Sequence, residues 1–312
     1  MALAFGKGHC DLNIPIDGKV KPLELVKRAI SFGYQTLAIN VHVHQKDLIS
    51  KSKHQQMAKK AKTDFVQKSL LDFPVPPKIE LTENDYPDLA MKSKKPVILY
   101  RLTIRFFNND FLPFVTNSET IKDYDILAIH PESTLAIQNL LKSGFKADII
   151  CFDPEGVKDV LWSRKLYMEC VKKDMFFEIP YAPCIRDDTK RRRIISQSHN
   201  YHAVGKSRGI IISSEAMSPL ELRGPYDVAN LGYIFGLNEN QGKEAVKQNP
   251  IKVVQNAAGR RLGPYRALIQ KKEDLGLDDA WKIPGEISDS ESDKKDSDSS
   301  SSSDDGDEAM DE

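Results

Sequence analysis

Apolar residues along the chain gather in seven short, nearly continuous runs: Cys10–Ile14, Thr36–Asn40, Val97–Phe106, Asp125–His130, Asp148–Phe152, Met175–Ile179 and Gly209–Ser214. A strand buried on one face alternates apolar and polar residues, whereas runs without alternation are covered on both faces, as in a parallel sheet. Between them, Pro22–Gly33, Ser133–Gly144, Val160–Asp174 and Thr189–Gly205 carry apolar residues three and four apart. That spacing predicts amphipathic helices. Ser133 is placed to cap one N-terminus, and Gly33 and Gly144 to stop two helices just past their C-termini. Such alternation of strand and helix predicts an α/β fold with parallel strands. Seven strands favour a (β/α) barrel, incomplete by about one strand, over an open sheet.

The loop after the seventh run ends in Arg223-Gly-Pro-Tyr-Asp227. Pro225 suits the first position of a helix, and Asp227 complements its positive end. Val228, Leu231, Gly232 and Phe235 share one face, Gly232 allows a neighbour to approach, and Gly236 is expected to end the helix. Asn238 with Gln241 predicts a capping box for the next one. Arg223 then projects from a loop at the C-terminal edge of the strands, where functional groups gather in βα units. A bracing pair with Asp227 or Glu221 is the competing reading.

A second basic feature follows the sixth run in PYAPCIRDDTKRRRIISQ. Here Arg186 precedes a helix expected to be capped by Asp188, with Lys190, Arg191, Arg192 and Arg193 in its first turn. Cations at a helix N-terminus are disfavoured by about 0.3–1 kcal/mol each. A phosphate backbone would relieve that conflict, because helix N-termini and arginines both favour phosphate. A solvated charge run is the alternative. Arg101 and Arg105 interrupt the third strand on one face, which calls for buried ion pairs inside a barrel or a solvent-facing edge. Lys206 and Arg208 flank the start of the seventh strand, at the opposite edge.

Charge sharpens this picture. The 312 residues carry 45 basic and 45 acidic side chains, but 12 acidic and 2 basic ones lie from Glu286 onward, leaving a body of 43 basic and 33 acidic. A basic body with an acidic tail suggests an anionic partner. The Ser/Asp-rich tail has too little apolar content to offset its ordering entropy, so residues 271–312 are expected to be a linker and a disordered segment, and 1–270 the barrel domain. A Lys-rich then Pro-rich interruption, about 45–95, reads as an insertion after the second strand. Its lysines fit nuclear import, RNA contact or a solvated helix face. The four cysteines are scattered, as expected of reduced thiols in an intracellular protein. No apolar run approaches the ~18 residues of a membrane span, and no signal peptide is visible.

Several of these stretches, SPLELRGPYDVANLGYIFGL (Ser218–Leu237), YRLTI (Tyr100–Ile104), FGYQTLAIN (Phe32–Asn40), CDLNIP and FEIPYAPCIRDDTKRRRIIS, closely resemble the 30-kDa protein subunit of nuclear ribonuclease P. The resemblance runs in consistent order from about Leu3 to Gly263, and the RGPYDVANLG block is its most specific part. It implies a TIM-like barrel related to the polymerase-and-histidinol-phosphatase hydrolases, with no catalysis and no cofactor of its own. It further implies a ribonucleoprotein whose RNA removes 5′ leaders from precursor transfer RNA, stabilised by this subunit, a small companion protein and other subunits. The related RNase MRP complex and its RNA, which process ribosomal RNA, are implied as shared partners, and the nucleus and nucleolus as the location. RNA contact would fall to Arg186, Lys190, Arg191, Arg192, Arg193 and Arg223.

The hydrolase kinship also raises a rival, a metal-dependent phosphoesterase. His42-x-His44 is expected just after the second strand, and His9-x-Asp11, His130, Glu178 and Glu215 sit at or near other strand ends. Alternate residues on a strand share a face, so the histidine pair could hold a metal. The first strand lacks the His-x-His of those enzymes, however, and the remaining ligands are poorly spaced.

Overall fold

A computed structural model describes residues 6–18, 20–47, 73–82, 95–112, 115, 118–155 and 160–262. Seven strands appear, β1 (His9–Pro15), β2 (Tyr34–His44), β3 (Val97–Phe106), β4 (Ile126–Pro131), β5 (Ile149–Ile150), β6 (Phe176–Pro180) and β7 (Ile210–Ser213). They pair in sequence order, every neighbour parallel. The helices are α1 (Pro22–Ser31), α2 (Thr134–Lys142), α3 (Arg164–Lys172), α4 (Ala182–Arg186), α5 (Asp188–Gly205), α6 (Pro225–Leu231), α7 (Glu239–Val246) and α8 (Gln248–Leu262). This is the (β/α) barrel of about seven strands that the hydrophobic pattern implies. Its seam, between β7 and β1, is joined by side chains as well as backbone. The Ser214 N–H donates to Asp11 Oδ1 at 3.0 Å, the Ser214 hydroxyl to the Asn13 carbonyl at 3.2 Å, and the Glu215 N–H to the same carbonyl at 3.0 Å.

Two cores result. Outside the barrel, Leu37, Ile39, Leu102, Ile129, Ile150 and Phe177 meet the apolar stripes of the surrounding helices. Inside, Cys10, Leu12, Ala38, Leu99, Ala128, Ile149 and Ile211 pack with Val253, Val254 and Ala257 of α8, which closes the N-terminal end of the barrel. The C-terminal end is polar, because the inward positions change character halfway along the strands. An aromatic group fixes α5 beside β6: Tyr167 stacks on Phe177 at 4.1 Å, and Tyr201 lies 5.0 Å from Phe177. Offset aromatic pairs of this kind are worth about 0.5–1.5 kcal/mol beyond their buried area.

The local signals are met with some corrections. Ser133 caps α2 by accepting from the Ala136 N–H at 3.1 Å, and Gly33 and Gly144 follow α1 and α2 at positive φ. The Asn238–Gln241 capping box is present. Pro225 opens α6, and a Cβ on Gly232 would lie 3.3 Å from the Gly242 Cα, the close approach foreseen. Helix α6 stops at Leu231, short of Gly236, which instead takes positive φ after two further turns. The cap of α5 is Asp187 rather than Asp188, because Asp187 has the extended backbone that lets its Oδ1 accept from the Lys190 N–H at 2.9 Å. Strand β2 continues to His44, so His42 and His44 belong to the strand and not to a loop after it. Within the insertion, Phe73 is buried, and the Pro74 carbonyl accepts from the Tyr124 hydroxyl at 2.6 Å. The Lys-rich part and the acidic tail lie outside the described residues. The four cysteines are free thiols. Among the described residues, no helix is long and apolar enough to cross a membrane.

Candidate nucleic-acid interface

The polar end of the barrel is built by strand alternation. Asn40, His42 and His44 of β2 stand in register with Arg101, Thr103 and Arg105 of β3, and Arg105 with His130 of β4. Arg101 is fully buried and crosses the barrel to Glu178 of β6, with Nη1 to Oε1 at 2.5 Å and Nη2 to Oε2 at 2.6 Å. Its remaining donors reach the Leu12 carbonyl at 2.8 Å, Cys151 Sγ at 3.0 Å and Thr103 Oγ1 at 3.1 Å. Burial alone would raise the Glu178 carboxyl, but the charge and hydrogen bonds of Arg101, with the Ser213 hydroxyl at 2.6 Å, hold it below the usual range. Of the two readings of the interrupted third strand, the buried ion pair is the one realised at Arg101. Arg105, further out, pairs with Glu132 at 2.7 Å and Asp153 at 2.8 Å.

Above this pair opens a cavity of about 530 Å³ whose wall includes His42, His130, Phe152, Asp153, Glu215 and Met217. Glu215 has φ +52, a left-handed conformation uncommon for a residue with a Cβ. Burial, reinforced by Glu178, pushes its carboxyl up to about 8, and burial pushes the His130 imidazole down to about 4. Each shift favours the neutral form at neutral pH. These side chains do not suit a metal ion. Glu178 has both oxygens on Arg101, the His44 Nε2 lies 3.2 Å from Glu132, and the His42 Nε2 lies 3.1 Å from the Asn40 amide. Among the described residues, no group of three or more His, Cys, Asp or Glu side chains is arranged around a metal position.

On one side of the mouth, α4 and α5 form a basic ridge. Arg186 ends α4 and braces the loop after β7, donating to Glu221 Oε2 at 3.0 Å and to the Glu215 carbonyl at 3.2 Å. Lys190 pairs with Glu155, and Arg191 with Asp188 at 3.0 Å. Arg193 donates to the Pro154 carbonyl at 3.2 Å, while Arg192 is exposed and has no ion pair or hydrogen bond among the described residues. Arg223 lies apart from the ridge and holds its own loop through the Leu220 and Leu222 carbonyls, at 2.7 and 2.8 Å, rather than through Asp227 or Glu221. Asp187, held below its usual range first by the Lys190 N–H and then by the neighbouring cations, offsets part of the ridge's charge. The Arg191–Asp188 and Lys190–Glu155 pairs are solvent-exposed on the acidic side, and pairs of that kind contribute only ~0–1 kcal/mol. A phosphate could therefore replace the carboxylates at small cost.

The model of a protein family described as RNase P subunit p30 matches residues 8–262. The chain belongs to the RNase P subunit p30 family. Mouse ribonuclease P protein subunit p30 is 32% identical over 241 residues, covering 77% of this chain and 82% of the relative. A fission yeast (Schizosaccharomyces pombe) protein named probable ribonuclease P protein subunit 3 is 30% identical over 152 residues, 49% of this chain and 64% of its own length. A chain in a cryo-EM structure of archaeal ribonuclease P with mature tRNA superimposes with TM-score 0.55 at 13% identity, covering 85% of this chain and 100% of that one, and so shares the fold.

The p30-family blocks recognisable in the sequence take definite places in the barrel. YRLTI supplies Arg101 and Thr103 at its centre, and RGPYD opens α6 from the loop that Arg186 braces. Of the six basic residues singled out, Arg186 and Lys190 line the mouth, Arg191, Arg192 and Arg193 continue along α5, and Arg223 stands off. Two features escaped sequence reasoning: the partnership of Arg101 with Glu178, and the seam built by Asp11. Only the inward phase of the third strand hinted at the first, and the bulge in β1 that creates the second leaves no signature in residue type.

Proposed function

We propose that this chain is a non-catalytic protein subunit of the ribonuclease P ribonucleoprotein, binding and stabilising the RNA that removes 5′ leaders from precursor transfer RNA. The observation that carries the reading is the family match across residues 8–262, which spans the whole described barrel. The α4–α5 ridge supports RNA contact, since its cations sit at helix N-terminal positions where phosphate is favoured. Arg186 and Lys190 through Arg193 supply that contact, while Arg223 holds the adjoining loop. The partners are the ribonuclease P RNA, a small companion protein and other subunits. Membership of RNase MRP and residence in the nucleus and nucleolus follow from the same reading, and a relative in baker's yeast (Saccharomyces cerevisiae) bears the name ribonuclease P/MRP protein subunit RPP1. The metal-dependent phosphoesterase alternative has no matching donor set, because the central carboxylate is committed to Arg101. The test is purification of the tagged chain from cells. Copurification of ribonuclease P RNA and of precursor-tRNA cleavage that resists mutation of His42 and His44 is expected; a metal-dependent activity of the isolated chain lost with those histidines overturns the reading.

A further inference from the structure

Arg186 and Lys190 belong to the ridge and also line the rim of the barrel-mouth cavity, so the two surfaces are continuous. Their chemistry differs. The rim is charged, whereas the charges deeper in are paired, Arg101 with Glu178 and Arg105 with Glu132 and Asp153, and burial shifts the His130 imidazole down and the Glu215 carboxyl up, each toward its neutral form. Among the described residues, neither the His130 ring nor the Glu215 carboxyl has a hydrogen-bond partner. A protonated carboxyl offers one donor beside one acceptor, and a neutral imidazole one donor and one acceptor on opposite sides of its ring. Phe152 adds an aromatic wall. A volume of about 530 Å³ lies within the ~300–1,000 Å³ of small-molecule sites.

We propose that the barrel mouth receives a single unpaired nucleobase of an RNA strand, its edge hydrogen-bonded by His130 and Glu215 and its face against Phe152, while the attached phosphates lie on Arg186 and Lys190 at the rim. This rests on the ribonucleoprotein reading above. A bare phosphate or a metal ion fits less well, because the cations are at the rim and the interior offers neutral, two-way hydrogen bonding. RNA-binding proteins characteristically take unstacked bases in this way, reading their edges and stacking their faces. An already unpaired base enters at little unstacking cost.

The full-length chain is titrated with the four ribonucleoside 5′-monophosphates, with inorganic phosphate and with a short single-stranded RNA, following base-proton saturation transfer by NMR. Base protons are expected to saturate more strongly than ribose protons, and the single strand to displace the mononucleotide. Phe152→Ala should weaken mononucleotide binding about tenfold, the value of one lost stacking contact. Raising the pH from about 6.5 to about 9 should weaken it by removing the Glu215 proton, and Glu215→Gln, isosteric and uncharged, should abolish that pH dependence while keeping the fold. Absence of base saturation, or saturation indifferent to both Phe152→Ala and Glu215→Gln, overturns the pocket. Cavity-dependent mononucleotide binding that single-stranded RNA does not displace overturns the RNA strand as its source. Charge reversal of Arg191 and Arg192 reports separately on the ridge: if RNA affinity is unchanged while mononucleotides still bind the mouth, the RNA-contact reading fails and the pocket stands.

Discussion

Replacing Arg101 with methionine removes the cation that neutralises Glu178 while preserving most of the side chain's volume. Both partners are essentially inaccessible, at 0% and 2% side-chain exposure, and two hydrogen bonds of 2.5 and 2.6 Å join them. Breaking such a pair by removing one member leaves an uncompensated buried charge and costs about 3–5 kcal/mol. The Leu12 carbonyl loses its guanidinium donor as well, but Thr103 keeps its bond to Asn40 at 2.7 Å, so the charge on Glu178 dominates the loss. Urea unfolding followed by circular dichroism, at constant m, measures the effect. Adding Glu178→Gln, which still accepts from Ser213, should recover at least half of the loss. The pH dependence carries a second signature. In the parent, Glu178 titrates below its ordinary value, so the stability it contributes is present above about pH 4.5 and disappears as pH falls through the depressed native value. In Arg101→Met, burial without a partner raises the same carboxyl, so the variant's deficit is largest at neutral pH and shrinks as Glu178 takes up a proton. A single-variant loss below about 1 kcal/mol, or a double variant no better than the single, would refute the assignment of Arg101 as the barrel's internal counter-charge.

Three further outcomes follow from the same coordinates. Glu215 holds its proton in the folded state up to about pH 8 and releases it on unfolding from about pH 4.5 upward, so its presence makes stability fall across that window. Glu215→Gln should match the parent near pH 5 and exceed it by about 4 kcal/mol above pH 8, read from urea midpoints at the two pH values; equal midpoints at both contradict this. Gly205→Ala would place a Cβ 2.0 Å from Tyr167 Cε1, in the aromatic group that seats α5, and should cost about 1–3 kcal/mol by thermal or urea unfolding. Gly259→Ala in α8, where nothing lies within 4 Å, should instead stabilise by about 0.5–1 kcal/mol, and a loss there would show that helix to be packed differently.

The strands were legible because each is a dense apolar run, and the parallel order followed from their lack of alternation. Boundaries were harder. β5 shrinks from the expected Asp148–Phe152 to Ile149–Ile150, although the Asp148 and Cys151 N–H groups still donate to the Leu127 and Ile129 carbonyls of β4. β2 grows to His44, since inward polar residues at a barrel mouth look like loop residues in a sequence. Helix α8 was not among the elements expected from the sequence, yet it plugs the barrel with Val253, Val254 and Ala257. For the candidate site, the ridge on α5 was visible as a conflict between four cations and a helix dipole. The mouth was legible only in part: His130, Glu178 and Glu215 were expected at strand ends, but Phe152 and the cavity they share come from separate βα units that only closure of the barrel brings together. Arg223 illustrates the limit at a single residue: its position beside a helix start was clear, but its carbonyl partners depend on the turn at Ser218–Glu221.

The claim that ribonuclease P RNA lies along the α4–α5 ridge is tested most directly by the salt dependence of its affinity for the full chain, with and without Arg191→Glu combined with Arg192→Glu. Each phosphate contact contributes about 0.7–0.9 to the slope of log affinity against log salt, so the double reversal should weaken binding and flatten that slope by about 1.5. An unchanged slope and affinity would contradict the account.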